Sequence, residues 1–385
     1  MKYKYRLDKK IFRLLVYFRS LFWYKKPINS LNLYDMDSIA IVYPHLIGDI
    51  VMATPFFRML RQVSPKAKIT FIGAIWAKDI LSSQNLVDEF ICFRNSRAML
   101  GGKAIIKNLK DIFSILKIVR KKQFDIAIEP FGAPSTILFM SFMKAKQYVG
   151  MDFSNLHKLQ TFTVPYDPQA HLVTGLMKLF ECLGIRLVAQ NYYPSMLLSV
   201  EQQEIGKKFI EKHFLSSKII IGIHPGASVP GRRWKGFAQT INLLLNTYPN
   251  MAICLFCGPD DGQFVQDIIS NVDERFRNSV ITVKRNIKEY LAILGICTHI
   301  ICNDSSCGHL SAALKIPVTI LFAQGDPKFI APRAESVVNI LSKDFPCKPC
   351  LSNICYKNTH ECFSWITPEM VFDTVQQSIV GDRLC

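Results

Sequence analysis

Short apolar runs alternate with helix-period stretches twice over, and this constrains the fold more than any other feature of the chain. In the first half the runs are Ser38–Tyr43, Lys68–Gly73, Val87–Phe93 and Phe124–Glu129, with Tyr148-Val149 as a fifth. Helical periodicity separates them at Ile75–Ser82, Ala104–Lys122 and Ser135–Lys144, and a longer pattern runs from about Asp49 to Val63. Pro55 falls inside that last pattern, which predicts a first-turn position or a kink. The second half repeats the design at Lys218–Ile223, Met251–Cys257, Val280–Ile281, Thr298–Cys302 and Val318–Phe322. Strands alternating with helices in this way predict parallel βαβ units with helices on both faces of each sheet.

A chain of 385 residues is long for one core and comfortable for two domains. A helix is expected near Leu172–Leu183, and Gly184–Leu198 has no clear periodicity. Thr367 and Pro368 read as the cap and first position of a final helix. The organisation read from these signals is a basic arm at 1–29, an α/β domain at 30–184, a linker at 185–200, a second α/β domain at 201–366 and a C-terminal helix at 367–385. The two α/β lobes are expected to face a cleft.

Three strand-to-helix loops carry the chemistry. Gly226, Ala227 and Ser228 follow one strand and are closed by Arg232-Arg233-Trp234. Small residues let backbone N–H groups approach phosphate oxygens, and an arginine can pair with them bidentately. Asp304, Ser305, Ser306 and His309 follow another strand, where hydroxyls and a helix start make a second phosphate site. Asp304 would repel phosphate, so its expected role is to organise the loop or bind a ribose hydroxyl. Asp260, in Gly258-Pro259-Asp260-Asp261, is a ribose or base contact or a helix cap. The third loop, around Gly48 and Asp49, offers a carboxylate at the end of the first strand, where it can take a proton from an attacking hydroxyl. An aspartate there can equally be a helix cap. No metal-ligand set lies near these loops, so catalysis without a divalent ion or other cofactor is expected.

The formal net charge of +17 calls for a polyanionic neighbour. Residues 1–26 hold nine Lys/Arg against one Asp, interleaved with Phe12, Leu15, Phe18, Phe22 and Trp23. Arg13 and Arg19 interrupt the apolar run, so it neither spans a bilayer nor forms a signal-peptide core. Such a segment can lie on an anionic membrane, or pack on the protein's own surface. No zinc finger, RNA-recognition signature or base-reading basic helix is present, so nucleic acid is not the expected partner. The twelve cysteines read mostly as reduced, buried thiols of a cytoplasmic protein. Cys347, Cys350, Cys355 and Cys362 form a tail cluster that could wrap a structural zinc, form two disulfides or simply pack.

From Ser38 to Val371 the succession Gly48-Asp49…Thr54-Pro55, His224-Pro225-Gly226-Ala227…Arg233-Trp234, Asn303-Asp304-Ser305…His309-Leu310 and Gly325-Asp326-Pro327 resembles glycosyltransferase family 9. That family contains the lipopolysaccharide core heptosyltransferases, and the tail cysteines resemble those of many members. The resemblance implies the GT-B fold, two Rossmann-like doubly wound parallel-sheet domains. It implies inverting transfer of a sugar, typically heptose from ADP-heptose, to a lipid A–core hydroxyl at the cytoplasmic face of the inner membrane. Asp49 matches the catalytic base, Arg232 takes the place of a donor-binding lysine, and Asp304, Ser305 and His309 match the donor-binding segment. Ser306, Tyr43 and Gly262 depart from the pattern at positions often Gly, basic and Glu, which bears on the sugar and nucleotide. Arg97, Lys103 and Lys107, with Gly48, are the candidates to hold an anionic glycolipid acceptor. The rival readings are a relative using another nucleotide sugar for O-antigen or capsule, and a non-catalytic membrane-surface protein of the same fold. A dinucleotide oxidoreductase is disfavoured because no G-x-G-x-x-G follows the first strand.

Overall fold

The computed structural model describes residues 14–15, 17–23, 26–94, 106–152, 157–216, 218–227, 230–348, 355 and 361–381. Two compact units divide the chain, Met1–Tyr192 and Tyr193–Cys385.

The first unit is built on β1 (Ser38–Tyr43), β2 (Lys68–Ala74), β3 (Glu89–Phe93), β4 (Phe124–Glu129), β5 (Ala145–Met151) and β6 (Phe162–Val164). Every pairing is parallel and the order is β3-β2-β1-β4-β5-β6. Its central strands are apolar on both faces because helices cover both, as parallel sheets require. The expected single helix from Asp49 is two, Ile47–Met52 and Thr54–Val63, with Pro55 in the first turn of the second. There the missing proline N–H forfeits no hydrogen bond. Helix Leu172–Cys182 closes through Gly184 at φ +74, a left-handed turn that glycine adopts without steric cost.

Residues 14–15 and 17–22 are helical. They do not stand apart from the unit. The Arg19 guanidinium donates to the Ser141 carbonyl at 3.0 Å, and Trp23 packs edge-on against Tyr148 at 4.7 Å.

The second unit repeats the topology with β7 (Ile219–His224), β8 (Met251–Phe256), β9 (Val280–Val283), β10 (His299–Asn303), β11 (Val318–Phe322) and β12 (Val338–Ser342). The order is β12-β11-β10-β7-β8-β9, again all parallel. Counted from each unit's own first strand, both sheets run 3-2-1-4-5-6, with the switch in direction between the first and fourth strands. Ligands of open α/β sheets bind outside the carboxyl ends of the strands at that switch. The final helix, Pro368–Gly381, buries Val371, Val375 and Ile379 in the same cluster as Phe237 and Ile241, so it belongs to this core.

Candidate active site

In the second unit the loops after β7, β8, β10 and β11 converge. Asn303, the last residue of β10, is buried and ties two of them together. Its amide donates to the Pro225 carbonyl at 2.6 Å and its carbonyl accepts from the Trp234 N–H at 3.3 Å. Trp234 is itself buried and donates to the Ile366 carbonyl at 3.1 Å, which anchors the loop beneath. On this base Arg232 stands at the β7/β10 switch, its Nη1 3.3 Å from Asp304 Oδ2 and its Nε 3.3 Å from Gln324 Oε1. Asp304 is buried against Gly325, where a Cβ would meet its carboxylate at 2.6 Å. Burial pushes the Asp304 carboxyl above its usual range, and the Arg232 and Lys348 cations oppose that rise. Asp304 therefore does not cap the helix that follows; it positions Arg232.

The acid that organises the β8 loop is Asp261, not Asp260. Asp260 is exposed, whereas Asp261 is buried, accepts from the Gly258 N–H at 3.2 Å and pairs with Arg233 Nη2 at 2.7 Å. Gly226 and Gly258 both lie against its carboxylate, so side chains at either would displace it. Ser305 is the N-cap residue of helix Ser306–Ala313, but its hydroxyl makes no cap bond. His309, one turn in, is buried. His224 lies 3.4 Å from the Tyr290 hydroxyl, and desolvation lowers its pKa to about 4, so it is neutral at pH 7. Ser228 lies outside the described residues. Small residues, a helix start and a guanidinium thus meet at the carboxyl ends of adjacent strands, an arrangement suited to a diphosphate.

In the first unit Asp49 occupies the equivalent switch, in the first turn of helix Ile47–Met52, with Gly48 buried beside it. One carboxylate oxygen accepts from the Leu46 N–H at 3.2 Å, so the cap role is real, and no described residue bonds the other oxygen. The His45 ring packs against Tyr43 and Phe131 (centroids 4.3 and 4.5 Å) and places Nδ1 3.8 Å from Asp49 Oδ2. Tyr43 is buried in the core, its hydroxyl donating to the Asp49 carbonyl at 3.4 Å. Glu129 ends β4. It is fully buried and accepts from the Gly132 and Ala133 amides, while its second oxygen has no partner among the described residues. Burial pushes its acid up to about 8 against those amide bonds, so Glu129 is mostly protonated at pH 7.

Lys107 is exposed in the segment after β3, two strands from β1 in sheet order. Arg97 and Lys103 lie outside the described residues. Cys347, Cys355 and Cys362 are half-buried, and the first two lie close enough to raise the Cys362 pKa, after burial itself; Cys350 lies outside the described residues. Among the described residues no three His, Cys, Asp or Glu side chains form a metal-binding group. Asp261, Arg233, Asn303, Gln324 and Glu129 carry structural roles that pattern reading did not assign. Glu129 left a signal of its own, a carboxylate closing a strand that is apolar from Ile126 to Ile128.

Two parallel α/β units, one with a guanidinium and one with a carboxylate at the switch of its sheet, have the architecture of a GT-B glycosyltransferase. The family model for glycosyltransferase family 9 (heptosyltransferase) matches residues 112–360, and the chain belongs to that family. Lipooligosaccharide heptosyltransferase 2 of Haemophilus ducreyi is 23% identical over 354 residues, covering 88% of this chain and 98% of its own. The solved structure of a glycosyl transferase family 9 protein from Veillonella parvula superposes with a TM-score of 0.77 at 20% identity, covering 92% of this chain and 100% of that one. E. coli ADP-heptose lps heptosyltransferase II superposes with a TM-score of 0.72 at 19% identity, covering 90% and 99%. Among the described residues no helix is long and apolar enough to cross a membrane.

Proposed function

We propose that this glycosyltransferase moves heptose from ADP-heptose to a hydroxyl of a lipopolysaccharide core acceptor, with inversion and without a divalent ion. The observation that carries the reading is the pairing of equivalent positions: Arg232 at the switch of one sheet and Asp49 at the switch of the other. Asp49 takes the proton of the acceptor hydroxyl as that oxygen bonds to the anomeric carbon. The bond from the anomeric carbon to the diphosphate breaks, and its electron pair leaves with ADP. Arg232, the amides of Gly226 and Ala227, Ser228 and the helix start at Ser305–Ser306 stabilise the charge growing on the diphosphate. Asp304 acts by holding Arg232, Asp260 reaches the nucleoside, and His309 supports the phosphate loop from within the helix. Gly48 lets the acceptor approach Asp49, and Arg97, Lys103 and Lys107 attract its phosphates. Substrate of this kind is lipid-linked, so the basic arm at 1–29 works at the cytoplasmic face of the inner membrane.

Calorimetry with ADP, GDP, UDP and CDP, with and without magnesium, tests the donor. Selective ADP binding that needs no magnesium is expected. Preference for another nucleotide would replace ADP-heptose by another sugar donor, and absence of binding would leave a non-catalytic protein of this fold.

A further inference from the structure

Helix Leu109–Val119 satisfies its core obligations with one face. Ile115 and Val119 are buried, and Ile112 and Leu116 pack half-buried on the same cluster, at the i, i+3, i+4, i+7 spacing of an amphipathic helix. The rest of its surface should then be polar, and it is not. Leu109, Phe113 and Ile118 are exposed, Phe113 by 64%, and Ile106 just ahead of the helix is 70% exposed. Cations are interleaved with them: residues 106–122 hold Lys107, Lys110, Lys117, Arg120, Lys121 and Lys122 against Asp111 alone.

The N-terminal helical segment repeats this composition. Leu14, Leu15, Phe18, Leu21 and Phe22 are exposed, Phe22 by 86%, while Arg19 and Trp23 tie the segment to the unit. The two segments are neighbours. Trp23 packs on the same core cluster as Ile112 and Leu116, and the charge of Arg120 acts on Arg19. Close to half of the exposed large hydrophobics among the described residues lie on these two stretches.

We infer that residues 14–22 and 106–121 form one docking face for an anionic lipid bilayer. Concentrated exposed apolar side chains call for an occupant. Neither stretch can span a membrane, so the face lies in the headgroup region with its apolar chains inserted. The interleaved lysines select an anionic surface. They argue against a second copy of this chain, since two such faces on molecules of net charge +17 repel. The inference widens the membrane reading proposed for the arm to a second helix and does not depend on the donor.

The test is sedimentation of the full chain with phosphatidylcholine vesicles and with vesicles containing 3 parts in 10 phosphatidylglycerol, alongside Phe113→Glu, Lys110→Glu/Lys117→Glu and Phe22→Glu variants. Binding to the anionic vesicles only is expected. Each variant should lower it at least tenfold, with calorimetric ADP binding unchanged as the check on folding. If the Phe113 and Lys110/Lys117 variants bind as the parent does, the second helix is not part of the face. If the parent ignores vesicles but sediments as a dimer that Phe113→Glu separates, the occupant is a second copy. Either result overturns the inference, and a failure of ADP binding in the parent would bear on the donor alone.

Discussion

Arg232 and Asp304 face each other across the boundary between β7 and β10, guanidinium Nη1 to carboxylate Oδ2 at 3.3 Å. The carboxylate is the buried member and the guanidinium the more exposed one, so the pair aims a cation outward from the carboxyl ends of the strands. Removing either partner alone has unequal consequences.

Arg232→Ala leaves Asp304 buried without its cation, which should destabilise the fold by about 3 kcal/mol and abolish ADP binding. Adding Asp304→Asn should restore most of the lost stability and none of the binding. Thermal unfolding and calorimetry on the two variants check this. Recovery of binding in the double variant would show that Arg232 does not contact the nucleotide.

Asp49→Asn keeps the volume of the side chain and removes its basicity. Turnover should fall by about a thousandfold, in the range of general base catalysis, while the affinity for ADP stays at the parent value. Steady-state kinetics beside calorimetry separate the two effects, and retained turnover would leave Asp49 as a helix cap only.

Glu129 titrates at about 8 in the folded protein, above the unfolded carboxylate at about 4.5. The folded state therefore holds its proton more tightly, and stability from this group is fully present below about pH 4.5 and lost as pH rises through 8. Glu129→Gln mimics the protonated form. The stability difference between variant and parent should grow in favour of the variant between pH 5 and 8.5, by about 1.4 kcal/mol per pH unit at most. A flat difference across denaturant melts in that range would mean that Glu129 is ionised throughout.

Gly226→Ala puts a methyl group into the Asp261 carboxylate, which holds the Gly258 amide and Arg233. Displacing that buried acid should cost about 3 kcal/mol and weaken ADP binding at least tenfold. Gly262→Ala is the control. Nothing lies within 4 Å of its added Cβ at the start of helix Gly262–Ser270, so it should stabilise by about 0.5 kcal/mol. Equal behaviour of the two variants would remove Asp261 from the site.

Two α/β units with parallel sheets, their central strands and the loops that follow them were legible in the sequence alone. A central parallel strand is apolar on both faces, so β1, β4, β7, β10 and β11 stand out as largely apolar runs. Edge strands leave weaker traces. β6 is three residues long and β12, Val338–Ser342, is half-buried along its whole length, so neither has a run or an alternation to detect. Asp49, Arg232 and Asp304 became candidates because each lies in the segment that follows such a strand. The long-range contacts that hold these loops were not legible: Gln324 meets Arg232 across 92 positions, Arg233 meets Asp261 across 28, and Asn303 meets Pro225 across 78. Local spacing reports which residues share a loop or a face, because backbone geometry repeats over a few residues. Which carboxylate sits beneath which cation, and which acid loses its charge, depends on strands brought together by burial and on the removal of water around them. The tertiary structure decided that Asp261 rather than Asp260 holds the loop, and that Glu129 keeps its proton, because only the folded chain sets desolvation and distance at once.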